Sequence, residues 1–150
     1  MITGMETILS KNKPDLVLVY GDSNSALGPA LACAKMNVPI GHVEAGLRSF
    51  DRTMPEEINR VVVDHISDLL FAPTDVCKNY LLQEGIDPKR IAVTGNTVVD
   101  SVLYIKDASD TKSSATNQSV DIVPLNSASL SFISSVIKLS SFSDVIISST

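Results

Sequence analysis

Pro39-Ile40-Gly41-His42-Val43-Glu44-Ala45-Gly46-Leu47-Arg48 begins as an apolar run of strand length and ends in a turn that carries an imidazole, a carboxylate and a guanidinium. Apolar strands that give out into polar groups are where parallel α/β folds gather the residues that handle ligands. Three more runs are nearly continuous in apolar residues: 15–20, 69–72 and 90–94. Strands buried on both faces by helices read this way. Amphipathic stretches of about 10 to 14 residues fill the gaps, the alternation of parallel βαβ units. Ser23 to Ser25 offer N-caps for a helix running to about Met36. Pro55 followed by Glu56 and Glu57 opens another, and Thr74 caps a third that stops at Gly85 before Pro88. A last helix is expected over 98–105, and 1–12 reads as the end of a helix feeding the first strand. The expected fold class is α/β, a Rossmann-like parallel sheet flanked by helices.

Composition narrows the function. The 150 residues suffice for one ordinary domain, and 44% apolar content can fill a core. A net charge of −5 provides no cationic field for a phosphate backbone or an anionic bilayer, so neither nucleic acid nor membrane is an expected partner. The apolar runs are far shorter than the roughly 20 residues of a spanning helix. Cys33 and Cys77 lack metal-ligand spacing, so no metal is expected, and no secretory leader precedes the first strand. A reducing cytoplasm fits these features.

The pattern changes at residue 107. Of the 44 residues from Asp107 to Thr150, 14 are serine and none is Gly, Arg or Glu, so the α/β alternation is expected to stop there. The expected division is 1–106 as an incomplete α/β domain and 107–150 as a Ser-rich tail, although 130–133, 136–139 and 145–147 are more apolar than ordinary disorder. No strand is legible ahead of 15–20, which implies an open sheet edge there and a tendency to associate.

Four motifs recur in order: Gly21-Asp22-Ser23; His42-Val43-Glu44-Ala45-Gly46-Leu47-Arg48; Pro55-Glu56-Glu57-Ile58-Asn59-Arg60; and Thr94-Gly95-Asn96-Thr97-Val98-Val99-Asp100. Over about residues 5–106 the chain resembles the non-hydrolysing UDP-N-acetylglucosamine 2-epimerases. The resemblance implies part of the N-terminal domain of a GT-B-type two-domain fold, with UDP-GlcNAc and UDP-ManNAc as ligands, no cofactor and a homodimer. It implies inversion at the sugar C2 by elimination and re-addition of UDP, with the catalytic acids falling on Asp22, Glu44 and Glu56. Which of them removes the C2 proton stays open. Lacking the opening strand and the second domain of that family, the 150 residues are expected to turn over poorly alone. A catalytically silent binding or assembly module and a GT-B glycosyltransferase are the alternatives.

The residues themselves agree with that placement. Asp22 and Glu44 follow strands and Glu56 opens a helix, so all three can meet at the carboxyl edge of the sheet. Arg60, Arg48 and His42 are the substrate-binding candidates: Arg60 lies one turn beyond Glu56, Arg48 is a second cation, and His42 shares a strand face with Glu44. Each has a plain structural reading too. Asp22 could cap a helix, Glu44 could pair with Arg48, and Glu56 could complement a helix dipole. Glu57 and His65 are read as structural.

Overall fold

The computed structural model describes residues 1–111 and 145–148. The elements run α1 (Ile2–Asn12), β1 (Leu16–Tyr20), α2 (Asn24–Met36), β2 (Ile40–Val43), α3 (Pro55–Ile66), β3 (Leu69–Ala72), α4 (Asp75–Gln83), a 3-10 turn (Pro88–Arg90), β4 (Ile91–Val93), α5 (Thr97–Thr111) and β5 (Val145–Ser148). The chain forms two compact units; the first holds Met1–Asn96 together with Ser143–Thr150, and α5 belongs to the second. Among the described residues no helix is long and apolar enough to cross a membrane.

The five described strands form one sheet in the order β4-β3-β2-β1-β5, with every pairing parallel. The expected Rossmann-like architecture is therefore present, and strand 69–72 has the predicted limits. Alternation along the strands builds the core on both faces. Val17 and Val19 of β1 pack with Met5 and Leu9 of α1, with Ala26, Ala30 and Cys33 of α2, and with Val63 of α3. On β3, Leu70 and Ala72 pack with Cys77 and Leu81 of α4 and with Ile91 of β4. Each large apolar side chain fully buried this way stabilises the fold by roughly 1.5–3 kcal/mol. The buried face of α2 is built largely from small residues, Ala26, Gly28, Ala30, Ala32 and Cys33, and the helix contacts both α1 and α3.

Local signals set the helix ends. Thr74 caps α4 by accepting the Cys77 N–H, and Pro55 occupies the first turn of α3 as expected. Ser23 is the N-cap of α2 by position, but its hydroxyl makes no capping bond. One expectation is overturned. The outer edge of β1 is not open: Leu16–Val19 pair with Val145–Ser148 of the serine-rich segment. A short apolar run satisfies the backbone groups of an edge wherever it originates in the sequence. The apolar runs at 130–133 and 136–139 lie outside the described residues.

Beyond β2 the chain turns through Glu44–Gly46, with Glu44 at φ 75° and Gly46 at φ 81°. A Cβ on Gly46 would stand 2.5 Å from the Cys77 carbonyl oxygen, which is backbone and cannot swing aside. Gly46→Ala adds this clash to a left-handed φ, and is expected to cost roughly 3 kcal/mol. Denaturant titration of the two proteins measures it, and an unchanged midpoint would contradict this packing.

Candidate functional site

β1 and β2 are paired neighbours with Tyr20 opposite Val43, so the residues that follow them emerge side by side at the carboxyl edge. Asp22 follows β1 and Glu44 follows β2, as the sequence leads one to expect. Glu44 reaches back over the residue that precedes Asp22: its Oε2 lies 3.5 Å from where a Cβ on Gly21 would stand. Glu44 is half-buried, and among the described residues its carboxylate has no hydrogen bond or ion pair. Asp22 is 34% exposed and accepts from Arg60 through Oδ2, at 2.5 Å from Nη2 and 2.9 Å from Nε.

Glu56, in the first turn of α3, is exposed and has no ion pair among the described residues. The expected balance between Glu56 and Arg60 is not what forms. Arg60 reaches Glu57 instead, at 3.0 Å, as well as Asp22. A helix periodicity of 3.6 turns Glu57 inward and Glu56 outward, so the three-residue spacing makes the contact. Glu57 is 3% exposed and accepts the backbone N–H groups of Ser49 and Phe50, at 2.9 and 3.0 Å. Burial pushes the Glu57 carboxyl up, but the two N–H donors and the Arg60 guanidinium outweigh it and bring it down to about 2. Burial of Arg60 opposes its charge, yet Glu57 and Asp22 raise it above its ordinary value.

His42 and Arg48 occupy different ground from that expected of substrate contacts. The His42 side chain is 1% exposed; Nδ1 is 2.6 Å from Asp64 Oδ1, and Nε2 donates to the Gly21 carbonyl at 2.9 Å. It does not meet Glu44, because the positive φ at Glu44 ends the strand alternation that would have put both on one face. The Arg48 side chain is also 1% exposed. It forks onto Glu84 through Nε and Nη2, at 2.6 and 2.7 Å, and its Nη1 reaches Asp64 and the Leu47 carbonyl. Burial works against the guanidinium charge, but Glu84 and Asp64 hold its pKa well above the ordinary value. Both residues lie beneath the edge and brace it.

Sequence reasoning missed Asp64, Asn59 and Glu84, and it read Glu57 as structural without finding its partners. Asn59 donates to the Asp22 carbonyl at 2.7 Å and to Asn24 at 3.1 Å. Asp64 is fully buried and accepts from His42, Arg48 and the Gly46 N–H. A signal existed: Glu57, Asp64 and the apolar Val63 share the inward stripe of α3. His65, read as structural, bonds the Val61 carbonyl in its own helix. The Tyr20 and Ser23 hydroxyls, flanking Gly21-Asp22, are buried without a partner among the described residues.

A family model described as UDP-N-acetylglucosamine 2-epimerase matches residues 1–128. The UDP-N-acetylglucosamine 2-epimerase of Methanocaldococcus jannaschii is 57% identical over 103 residues, 69% of this chain and 28% of that protein. The UDP-2,3-diacetamido-2,3-dideoxy-D-glucuronate 2-epimerase of Pseudomonas aeruginosa is 50% identical over 106 residues, 69% of this chain and 30% of that protein. The crystal structure of the M. jannaschii UDP-GlcNAc 2-epimerase in complex with UDP-GlcNAc and UDP superposes with a TM-score of 0.72 at 52% identity, covering 75% of this chain and 31% of that one. The chain thus spans about three-tenths of the length of the relatives it matches.

Glu57 gives the site a pH signature. Its carboxyl sits at about 2 in the folded chain against an ordinary 4.5. The stability it contributes is complete above about 4.5, declines as pH falls, and is gone below about 2. Glu57→Gln is expected to lower stability on the order of 2 kcal/mol at neutral pH and to flatten this acid limb. Denaturant titrations between pH 2 and 7 follow both; parallel curves for the two proteins would rule the assignment out.

Proposed function

The chain belongs to the UDP-N-acetylglucosamine 2-epimerase family, and from that premise we propose that it supplies the carboxylate wall of a site that inverts C2 of a UDP-linked N-acetylamino sugar. The observation that carries this reading is the juxtaposition of Asp22 and Glu44 at the carboxyl ends of paired strands, with Glu56 exposed at the start of α3. In the proposed reaction a base takes the C2 proton, the C1–O bond breaks, and UDP departs with the bonding pair to leave a C1=C2 double bond. Re-addition of UDP and return of a proton to the other face of C2 give the epimer. Electrons balance without an oxidant, so no redox cofactor is needed.

The C2 proton is weakly acidic, and removing it calls for positioned proton carriers and for donors that meet the charge on the departing diphosphate. Asp22, Glu44 and Glu56 are the proposed carriers. Arg60 fixes the orientation of Asp22 through two donors, while His42 and Arg48 act from below by bracing the strand ends. The proposed ligands are UDP-GlcNAc and UDP-ManNAc, in a cytoplasmic homodimer that supplies polysaccharide precursors. A division into 1–106 and a Ser-rich tail of 107–150 remains part of this reading, with Val145–Ser148 of the tail returning to the sheet. A cleft needs two walls to exclude water, so the 150 residues alone are expected to turn over poorly.

Solvent exchange tests the reading. The chain is incubated with UDP-GlcNAc in D2O, alone and with a polypeptide carrying the rest of the M. jannaschii relative's length. Deuterium at C2 and the appearance of UDP-ManNAc are expected in the complemented mixture, falling at least 100-fold with Asp22→Asn, Glu44→Gln or Glu56→Gln. Sugar transfer without C2 exchange would favour the glycosyltransferase alternative, and the absence of both would leave the silent module.

A further inference from the structure

We propose that Asp64 is a positioning residue that sets the spacing of Asp22 and Glu44 by clasping, through His42 and the Gly46 N–H, the two turns that carry them. This rests on the reading of those carboxylates given above. Asp64 belongs to neither turn. It sits in the last third of α3, with no exposed surface, and the two oxygens of its carboxylate are divided between the two strand ends.

One oxygen, Oδ1, lies 2.6 Å from His42 Nδ1, and the far side of the same ring donates from Nε2 to the Gly21 carbonyl at 2.9 Å. The other, Oδ2, accepts the Gly46 N–H at 3.1 Å and lies 2.7 Å from Arg48 Nη1. Gly21 adjoins Asp22, and Gly46 closes the turn that begins at Glu44. A single carboxylate is thus connected to the backbone on either side of the proposed proton carriers.

The ring imposes a proton count. A carbonyl oxygen can only accept, so Nε2 carries a proton. A neutral ring would then present a bare Nδ1 to a carboxylate oxygen, two acceptors facing each other at 2.6 Å. A proton must lie between them, and its presence makes the His42–Asp64 link short and directional. The other charged groups around Asp64 are Arg48, from the loop after β2, and through it Glu84, at the end of α4, with His65 Nδ1 3.8 Å from Glu84. Arg48 supplies the positive charge that a buried carboxylate requires, so the ring's part is geometric: it carries the hold across to β1.

The experiment uses the 150-residue chain labelled with 15N and 13C. The Nε2 of His42 is expected to show an attached proton, and Asp64→Asn is expected to shift the amide signals of Asp22 and Glu44 while those of α1 stay in place. A His42 ring bare at Nε2, or Asp22 and Glu44 signals indifferent to Asp64→Asn, would overturn the proposal. Should Asp64→Asn not fold, two His42 variants separate the halves of the clasp. His42→Asn keeps a donor for Asp64 and loses Gly21, and is expected to shift Asp22 alone. His42→Gln keeps a donor for Gly21 and loses Asp64, and is expected to shift Asp22 as well, because the Gly21 bond then has no fixed acid behind it. An Asp22 signal that stays at its wild-type position in either variant overturns the clasp. In the complemented exchange assay Asp64→Asn is expected to lower kcat at least tenfold with KM within twofold. If the wild type exchanges no deuterium, the epimerase reading fails, while the ring and amide signals still decide the role of Asp64.

Discussion

A carboxylate with no exposed surface is the constraint on which the carboxyl edge of this sheet depends. Removing Asp64 from water is unfavourable by several kcal/mol unless opposite charge and hydrogen-bond donors replace the lost hydration. The replacements come from three places in the chain: the imidazole of β2, the guanidinium of the following loop, and the N–H of Gly46. None can be withdrawn without stranding the others, because Arg48 is buried as deeply and depends on Asp64 and Glu84 in turn. A buried ion cluster of this kind is weak evidence of net stability. Its effect is specificity, since few arrangements of the strand ends satisfy all the members at once.

Rigidity below allows reactive groups above. Groups that transfer protons need access to a ligand, and here the carboxylates divide by exposure: Asp64 and Glu57 are buried and fully engaged, Asp22 and Glu44 are half-buried, and Glu56 is exposed. The buried pair orders backbone. Glu57 gathers the N–H groups of Ser49 and Phe50, pinning the loop between β2 and α3, while the Phe50 ring meets Tyr80 of α4 edge-on at 5.1 Å. Arg60 joins the two sets, bonding Glu57 on one side and Asp22 on the other.

The fold was legible because parallel strands covered on both faces leave an unambiguous trace, as 16–20 and 69–72 do, and because Pro55, Thr74 and Gly85 punctuate helices for local reasons that need no tertiary information. Positions of the site residues along the chain were legible for the same reason: a residue just past a strand lies at its carboxyl end. Contacts were less so. Pairing by sequence distance suggested Glu56 with Arg60 and His42 with Glu44, whereas helix phase selects Glu57 and a left-handed φ at Glu44 cancels the strand alternation. Asp64 escaped because its partners are 16 to 22 positions away, in elements whose approach only the folded sheet defines. The strand Val145–Ser148 escaped for a related reason. Its apolar run was visible, but an edge strand owes its place to the edge it meets.

The left-handed turn at Glu44 links these points. A non-glycine residue at φ 75° carries a strain of about 1–2 kcal/mol, and turns of this kind persist only when the surroundings hold them. Glycine in place of Glu44 would relieve the strain and remove the carboxylate, so what the strain secures is the side chain. From an ordinary extended conformation position 44 would continue the strand and point with His42 toward α3. Reversing the backbone there brings Glu44 over Gly21, while the Ala45 N–H bonds Phe71 and the Gly46 N–H bonds Asp64 to keep the reversal in place. The strained residue and the buried acid therefore belong to one device: a turn that aims a carboxylate needs a fixed point to turn against, and α3 provides it.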